Sequence, residues 1–260
     1  LAETERILEQ KVKERTEEVV KQKDEIDSQR AKLEELYMDV TASIRYAKRL
    51  QDSILPPEKL IKKQSPSSFV LFKPKDIVSG DFYWIGKQKN ELMFAAVDCT
   101  GHGVPGAFMS MIGTSLLNKI IIENKIKETD QILSELRLQI INALNQKEDS
   151  SQKDGMDISL CKLDLNNKTL QFSGAMNPLV HISGDELNIY KGDPQPIGYL
   201  SGKEKSFTSE HVKLEKGDMI YVFSDGFQDQ FGGEKGKKYR SLKFRKLLQL
   251  ISDKSTNEQN

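Results

Sequence analysis

Two cysteines in 260 residues, Cys99 and Cys161, leave no disulfide framework, and the three histidines stand at no zinc-ligand spacing relative to them. A reducing, cytoplasmic setting is the expectation, with a membrane tether through an absent upstream region left open. Lysine plus arginine and aspartate plus glutamate both number 39, so charge balance gives no case for nucleic acid or an anionic membrane surface as a partner. No apolar run reaches the roughly 18 residues of a membrane-crossing helix, and no signal-peptide pattern opens the chain. The first residue is Leu1 rather than Met, which suggests a fragment whose upstream part is missing.

Residues 1–55 contain neither glycine nor proline. Val12, Val19, Ile26, Leu33, Val40, Ala47 and Ile54 recur every seven residues, with Leu8, Leu36 and Leu50 four positions before the next member. This is a coiled-coil pattern, and Pro56-Pro57 should end the helix. Arg15, Gln22, Gln29 and Ser43 occupy other companion positions, weakening the seam while fixing its register. Tyr37, Ile44 and Tyr46 widen the stripe after about residue 36. An isolated helix with this much charge gains little stability without a partner stripe. A parallel homodimer through residues 1–55 is therefore expected, followed by one globular domain over 56–260.

After Pro57 short apolar runs alternate with turn signals. Strands are expected at 69–72, 76–85, 92–98, 158–163, 169–172, 179–183, 187–190, 207–214 and 219–224. Helices are expected from about Pro105 to Glu123, from an N-cap at Asp130, and from near Leu242. Ile132, Leu133, Leu136, Ile140, Ile141 and Leu144 form the stripe of the second. Strands outnumber helices and most neighbours read as hairpins, so the fold class is α+β with mainly antiparallel sheets.

The chemistry is concentrated at strand ends. Phe82–Gly86 and Leu92–Val97 flank a polar turn, and centring it on Lys89-Asn90 pairs residues whose numbers sum to 179, setting Asp81 opposite Asp98. Two like charges so placed repel. A hard divalent cation would satisfy them, since Mg²⁺ and Mn²⁺ take oxygen ligands; a solvated hairpin end is the plainer reading of these two residues alone. Gly101, Gly103 and Gly106 then surround Pro105, which suits the first turn of a helix. A third acidic residue, Asp225, follows the apolar run MIYVF in Ser224-Asp225-Gly226. Asp154 and Asp157 could bind a further metal or order a flap, but capping a turn is the preferred reading. Gly174 and Pro178 read as a turn between strands, and residues 231–238, FGGEKGKK, as a mobile basic loop beside Asp225.

GDFYW at 80–84, VDCTGHG at 97–103 and YVFSDG at 221–226 together resemble the metal-dependent serine/threonine phosphatases of the protein phosphatase 2C (PPM) superfamily, within it the bacterial sporulation stage II E (SpoIIE)/RsbU branch. The resemblance implies an α-β-β-α sandwich of two mainly antiparallel sheets. It implies two Mn²⁺ or Mg²⁺ ions per site, held by Asp81, Asp98, the Cys99 backbone carbonyl and Asp225. The reaction it implies is hydrolysis of phosphoserine or phosphothreonine by a metal-activated water. By the same analogy the substrate is a phosphorylated protein such as an anti-sigma-factor antagonist. His102 is a candidate general acid, against a structural or solvated loop histidine. LEQKVKERTEEV resembles the helical linkers that join bacterial sensor domains to output domains. Family members usually end in another acidic strand, and Ser252–Asn260 offers none, so a C-terminal strand is expected to be missing. An incomplete or inactive module acting by partner binding is the alternative.

Overall fold

The computed structural model describes residues 2–148, 153–202, 205–233 and 236–260. Two compact units divide it, Leu1–Tyr46 and Ala47–Asn260. Helix α1, Ala2–Ile54, runs through both. In the first unit its heptad residues Val12, Val19, Ile26, Leu33 and Val40 are all more than half exposed, so the apolar stripe lies uncovered on the single chain.

The second unit begins with the last turns of α1, and α2 follows at Glu58–Gln64. Next come β1 (Phe82–Gln88), β2 (Glu91–Cys99), α3 (Gly103–Leu117) and a π-helical stretch, Asn118–Glu123, that continues it. Helix α4 is Thr129–Ala143. Strands β3 (Met156–Asp164), β4 (Thr169–Ala175), β5 (Leu179–Ser183), β6 (Glu186–Tyr190), β7 (Glu210–Lys213) and β8 (Met219–Val222) then run in series. A short hairpin, β9 (Phe231–Gly232) with β10 (Lys237–Lys238), precedes α5 (Ser241–Ile251) and α6 (Thr256–Gln259).

The described strands form two main sheets, β1-β2-β3-β4-β7 and β6-β5-β8, each wholly antiparallel. Side-chain alternation along the strands builds three apolar interfaces. Met156, Ile158 and Leu160 of β3 face α3 and α4, packing with Leu117, Ile120, Leu133 and Leu136. Cys161 and Phe172 face the other way, against Leu179, Ile220 and Val222 of the second sheet. On that sheet's far side Val180, Ile182 and Tyr221 meet Phe244 and Leu248 of α5. The layers are α-β-β-α, as expected. Full burial of a leucine or isoleucine contributes about 1.5–3 kcal/mol, so the wholly buried Ile132, Leu133, Leu136 and Ile140 hold α4 in place far more firmly than its intrinsic helix propensity.

Some local expectations need correction. Residues 66–81 form no strand; the chain there is irregular, with a turn at 66–67 and bends at 75–78, and the first strand begins at Phe82. Asp130 lies inside the first turn of α4, whose N-cap is Glu128. MIYVF is less buried than its composition suggests, because β8 is an edge strand and only Tyr221 in it is fully covered. Gly103–Glu123 is one continuous helical run, long and apolar enough to cross a membrane by length and composition, but half of it is buried in this fold. Residues 234–235 of the basic loop lie outside the described residues.

Candidate metal centre

The β1–β2 hairpin has the register read from its two-residue turn. Phe82 pairs with Val97 and Gln88 with Glu91, so Asp81 sits one step beyond the ladder, across from Asp98. Lys89 takes the positive φ of 53° that closes the turn. Beyond the ladder, glycine permits a close approach of three backbone segments. A Cβ at Gly106 would lie 2.6 Å from the Gly101 carbonyl oxygen and 2.9 Å from the Gly80 Cα. One at Gly80 would lie 3.3 Å from the Cys99 carbonyl oxygen. Loop 79–81, the end of β2 and the start of α3 are thereby locked together, with Pro105 in the helix's first turn where its missing N–H costs no bond. Gln51, buried near the end of α1, adds a polar clasp. Its Nε2 donates to the Ser79 carbonyl (2.6 Å) and to Ser110 Oγ (2.7 Å), and its Oε1 accepts from the Ser79 N–H (3.0 Å).

Asp225 joins from the second sheet, just past β8. Its N–H points at Asp98 Oδ2 (3.4 Å), and the neighbouring Ser224 hydroxyl donates to Asp81 Oδ2 (2.5 Å). Asp81 lies close enough to Asp98 for its charge to oppose the ionisation of the Asp98 carboxyl. Burial, followed by the charges of Asp81 and Asp225, pushes the Asp98 carboxyl up to about 7. Burial and then Asp229 and Asp81 raise Asp225 as well. Asp157, which the sequence reading assigned to a turn, is the residue directly opposite Asp98 on the β2–β3 ladder. Burial and then Asp225 push its carboxyl up to about 6. Asp81, Asp98, Asp157 and Asp225 thus share one end of the sandwich, and Asp98, Asp157 and Asp225 are held toward their neutral forms.

That electrostatic state is what a cation relieves, and carboxylate and carbonyl oxygens are the donors Mg²⁺ and Mn²⁺ prefer. Among the described residues no three His, Cys, Asp or Glu side chains are arranged to hold an ion by themselves. Mg²⁺ is ordinarily bound through one or two carboxylates and keeps several waters, so the donor set fits a water-rich divalent ion. The Cys99 side chain is unsuited to ligation or attack: it is buried, and burial followed by Asp81, Asp98 and Asp157 pushes its thiol up. His102 stands apart, with its side chain 84% exposed and its Nδ1 3.1 Å from Asp76 Oδ2. The structure therefore brings together Asp81, Asp98 and Asp225, and sets His102 on Asp76. Ser224 was missed, though it directly precedes Asp225 in the motif.

A family model described as Stage II sporulation protein E (SpoIIE) matches residues 88–259. This chain belongs to the SpoIIE family. Its globular unit is a PP2C-type phosphatase domain of the SpoIIE/RsbU group. The SiaA-PP2C domain of Pseudomonas aeruginosa shares 31% of its sequence, with a TM-score of 0.77 over 85% of this chain and 86% of that one. The phosphoserine phosphatase RsbU of Bacillus subtilis (strain 168) is 25% identical over 195 residues, 74% of this chain. The chain spans 55% of that relative's length. The PP2C phosphatase domain of SpoIIE from Bacillus subtilis, solved with a fragment of its regulatory domain, shares the fold at 19% identity, with a TM-score of 0.55 over 70% of this chain and 52% of that one.

Proposed function

We propose that this SpoIIE-family domain is a Mn²⁺- or Mg²⁺-dependent phosphatase acting on phosphoserine or phosphothreonine in a protein. The observation that carries the reading is the convergence of Asp81, Asp98 and Asp225 from two sheets onto one sandwich end, where Asp81 opposes the ionisation of both Asp98 and Asp225. Metal dependence is general in the family. When bound, paired divalent ions supply a water of lowered pKa and neutralise charge on the phosphoryl oxygens.

The chain's own part is to hold and orient. Asp81, Asp98 and Asp225 offer carboxylate ligands, and the Cys99 carbonyl offers a fourth oxygen beside Gly80. Ser224 fixes the Asp81 carboxylate through its hydroxyl. No protein nucleophile is needed, and the buried, protonated Cys99 supplies none. A relative named as a phosphoserine phosphatase supports phosphoserine as the substrate group. A phosphorylated anti-sigma-factor antagonist is the protein substrate proposed. The uncovered heptad stripe of α1 supports a parallel dimer, through which a sensor upstream would reach the domain. Two free, buried cysteines suit a cytoplasmic setting.

Hydrolysis of a phosphoserine peptide tests the reading. Turnover is expected with Mn²⁺, none with chelator, and at least a 100-fold loss in Asp98→Asn with its melting temperature in chelator no lower than that of wild type. Undiminished turnover in that variant removes Asp98 from the chemistry. A folded, metal-loaded protein without turnover would favour a partner-binding module.

A further inference from the structure

The acidic end of the sandwich opens into a cleft of about 180 Å³. Asp98, Asp157 and Asp225 line it together with Lys153 and Tyr199. Lys153 is the single cation in the described lining. Its ammonium lies 5.9 Å from the centroid of the Tyr199 ring, at cation–π distance. Among the described residues it makes no ion pair. The carboxylate next to it in sequence, Asp154, is taken by the Thr100 hydroxyl at 3.1 Å.

The two segments that carry Lys153 and Tyr199 are fastened to each other. The buried Gln146 donates through Nε2 to the Asp154 carbonyl and accepts the Tyr199 N–H on Oε1 at 2.9 Å. Met156 and Ile197 exchange backbone bonds of 2.9 and 2.8 Å. Thr100 Oγ1 accepts the Gly155 N–H at 2.9 Å, tying the same segment to the end of β2. A Cβ at Gly155 would sit 2.6 Å from the Ile197 carbonyl oxygen, so the crossing requires glycine. The lysine thus adjoins a braced segment, Asp154–Met156, and lines the same cleft as the acidic cluster.

A phosphomonoester dianion entering this cleft meets the carboxylates of Asp98, Asp157 and Asp225. Cations held by those carboxylates would neutralise them, and the substrate's remaining non-bridging oxygens would still need a donor. We propose that Lys153 is the residue that binds the substrate's phosphoryl oxygens, with the Tyr199 ring holding its ammonium toward the cleft. This inference rests on the phosphatase reading above. It assigns Lys153 to substrate binding, and Gln146 and Tyr199 to positioning it.

The test uses the full chain with Lys153→Met, Lys153→Arg and Tyr199→Leu. Steady-state rates in Mn²⁺ are measured on p-nitrophenyl phosphate and a phosphoserine peptide, and inorganic phosphate binding in Mg²⁺ is measured by calorimetry. Loss of one charge-assisted contact predicts a rise of about 10-fold or more in KM for both substrates with Lys153→Met. A similar loss of phosphate affinity and a smaller change in kcat are expected. Lys153→Arg restores most of the affinity, and Tyr199→Leu gives an intermediate KM. A KM effect confined to the peptide overturns the assignment, because the lysine would then read the polypeptide. Unchanged KM in an active enzyme overturns it too. If the wild-type protein turns over neither substrate the phosphatase reading falls, and the calorimetry still decides Lys153: equal phosphate affinity in wild type and Lys153→Met rejects it.

Discussion

Asp98 is asked to ionise where burial, then Asp81, then Asp225 oppose it, and its carboxyl titrates near 7 rather than at its ordinary 3.8. An acid whose folded pKa is raised binds more protons folded than unfolded, so metal-free stability falls as pH climbs from about 4 to 7. Asp157, pushed to about 6, adds to the same slope over a narrower window. Both groups are partly open to solvent, which screens the effect. In chelator, Asp98→Asn is therefore expected to match wild type near pH 4 and to exceed it by about 1–2 kcal/mol at pH 7.5. Urea denaturation at the two pH values checks this, and Mn²⁺ should erase the variant's lead. A variant less stable than wild type at pH 7.5 in chelator would contradict the electrostatic account.

At the scale of elements, Gln51 and the glycine crossing hold loop 79–81 to the helices. Gln51→Ala leaves the Ser79 N–H and carbonyl without their buried partner, at a cost of about 2–3 kcal/mol, and frees the loop that presents Asp81. Weaker Mn²⁺ affinity along with a lower urea midpoint is the expected result; lowered stability with unchanged affinity would separate Gln51 from the site. Gly106→Ala sets a methyl group against two backbone segments, a clash of about 1–3 kcal/mol. Its denaturation midpoint should drop accordingly. The hairpin that presents Asp98 was legible in the sequence because a two-residue turn fixes register over the whole ladder, and a one-residue slip would reverse every face. Helix α4 was legible from its apolar spacing. Asp157 was not, since pairing β2 with β3 spans two intervening helices and nothing local sets that register. Gln51 and Gln146 were equally hidden: a polar residue that becomes a buried clasp carries no periodic signal. Residues 66–81 misled because Phe69–Phe72 has strand composition but meets no partner strand.

At the scale of the whole molecule, three apolar interfaces between four layers account for the globular unit, and the overall layering follows from the alternation of apolar residues along its strands. Among the described residues the heptad stripe of α1 is an extended apolar feature that this packing does not explain. Sedimentation of the full chain at micromolar concentration should give a dimer, and removal of residues 1–40 a monomer. A monomer in both would end the dimer proposal. The central claim is that Asp81, Asp98 and Asp225 form a divalent-cation centre. Electron paramagnetic resonance of Mn²⁺ titrated into the protein tests it most directly. Wild type should quench the free-ion signal saturably, and Asp81→Asn, Asp98→Asn and Asp225→Asn should each weaken that binding about 10-fold or more. Undiminished Mn²⁺ binding in all three variants would contradict the account.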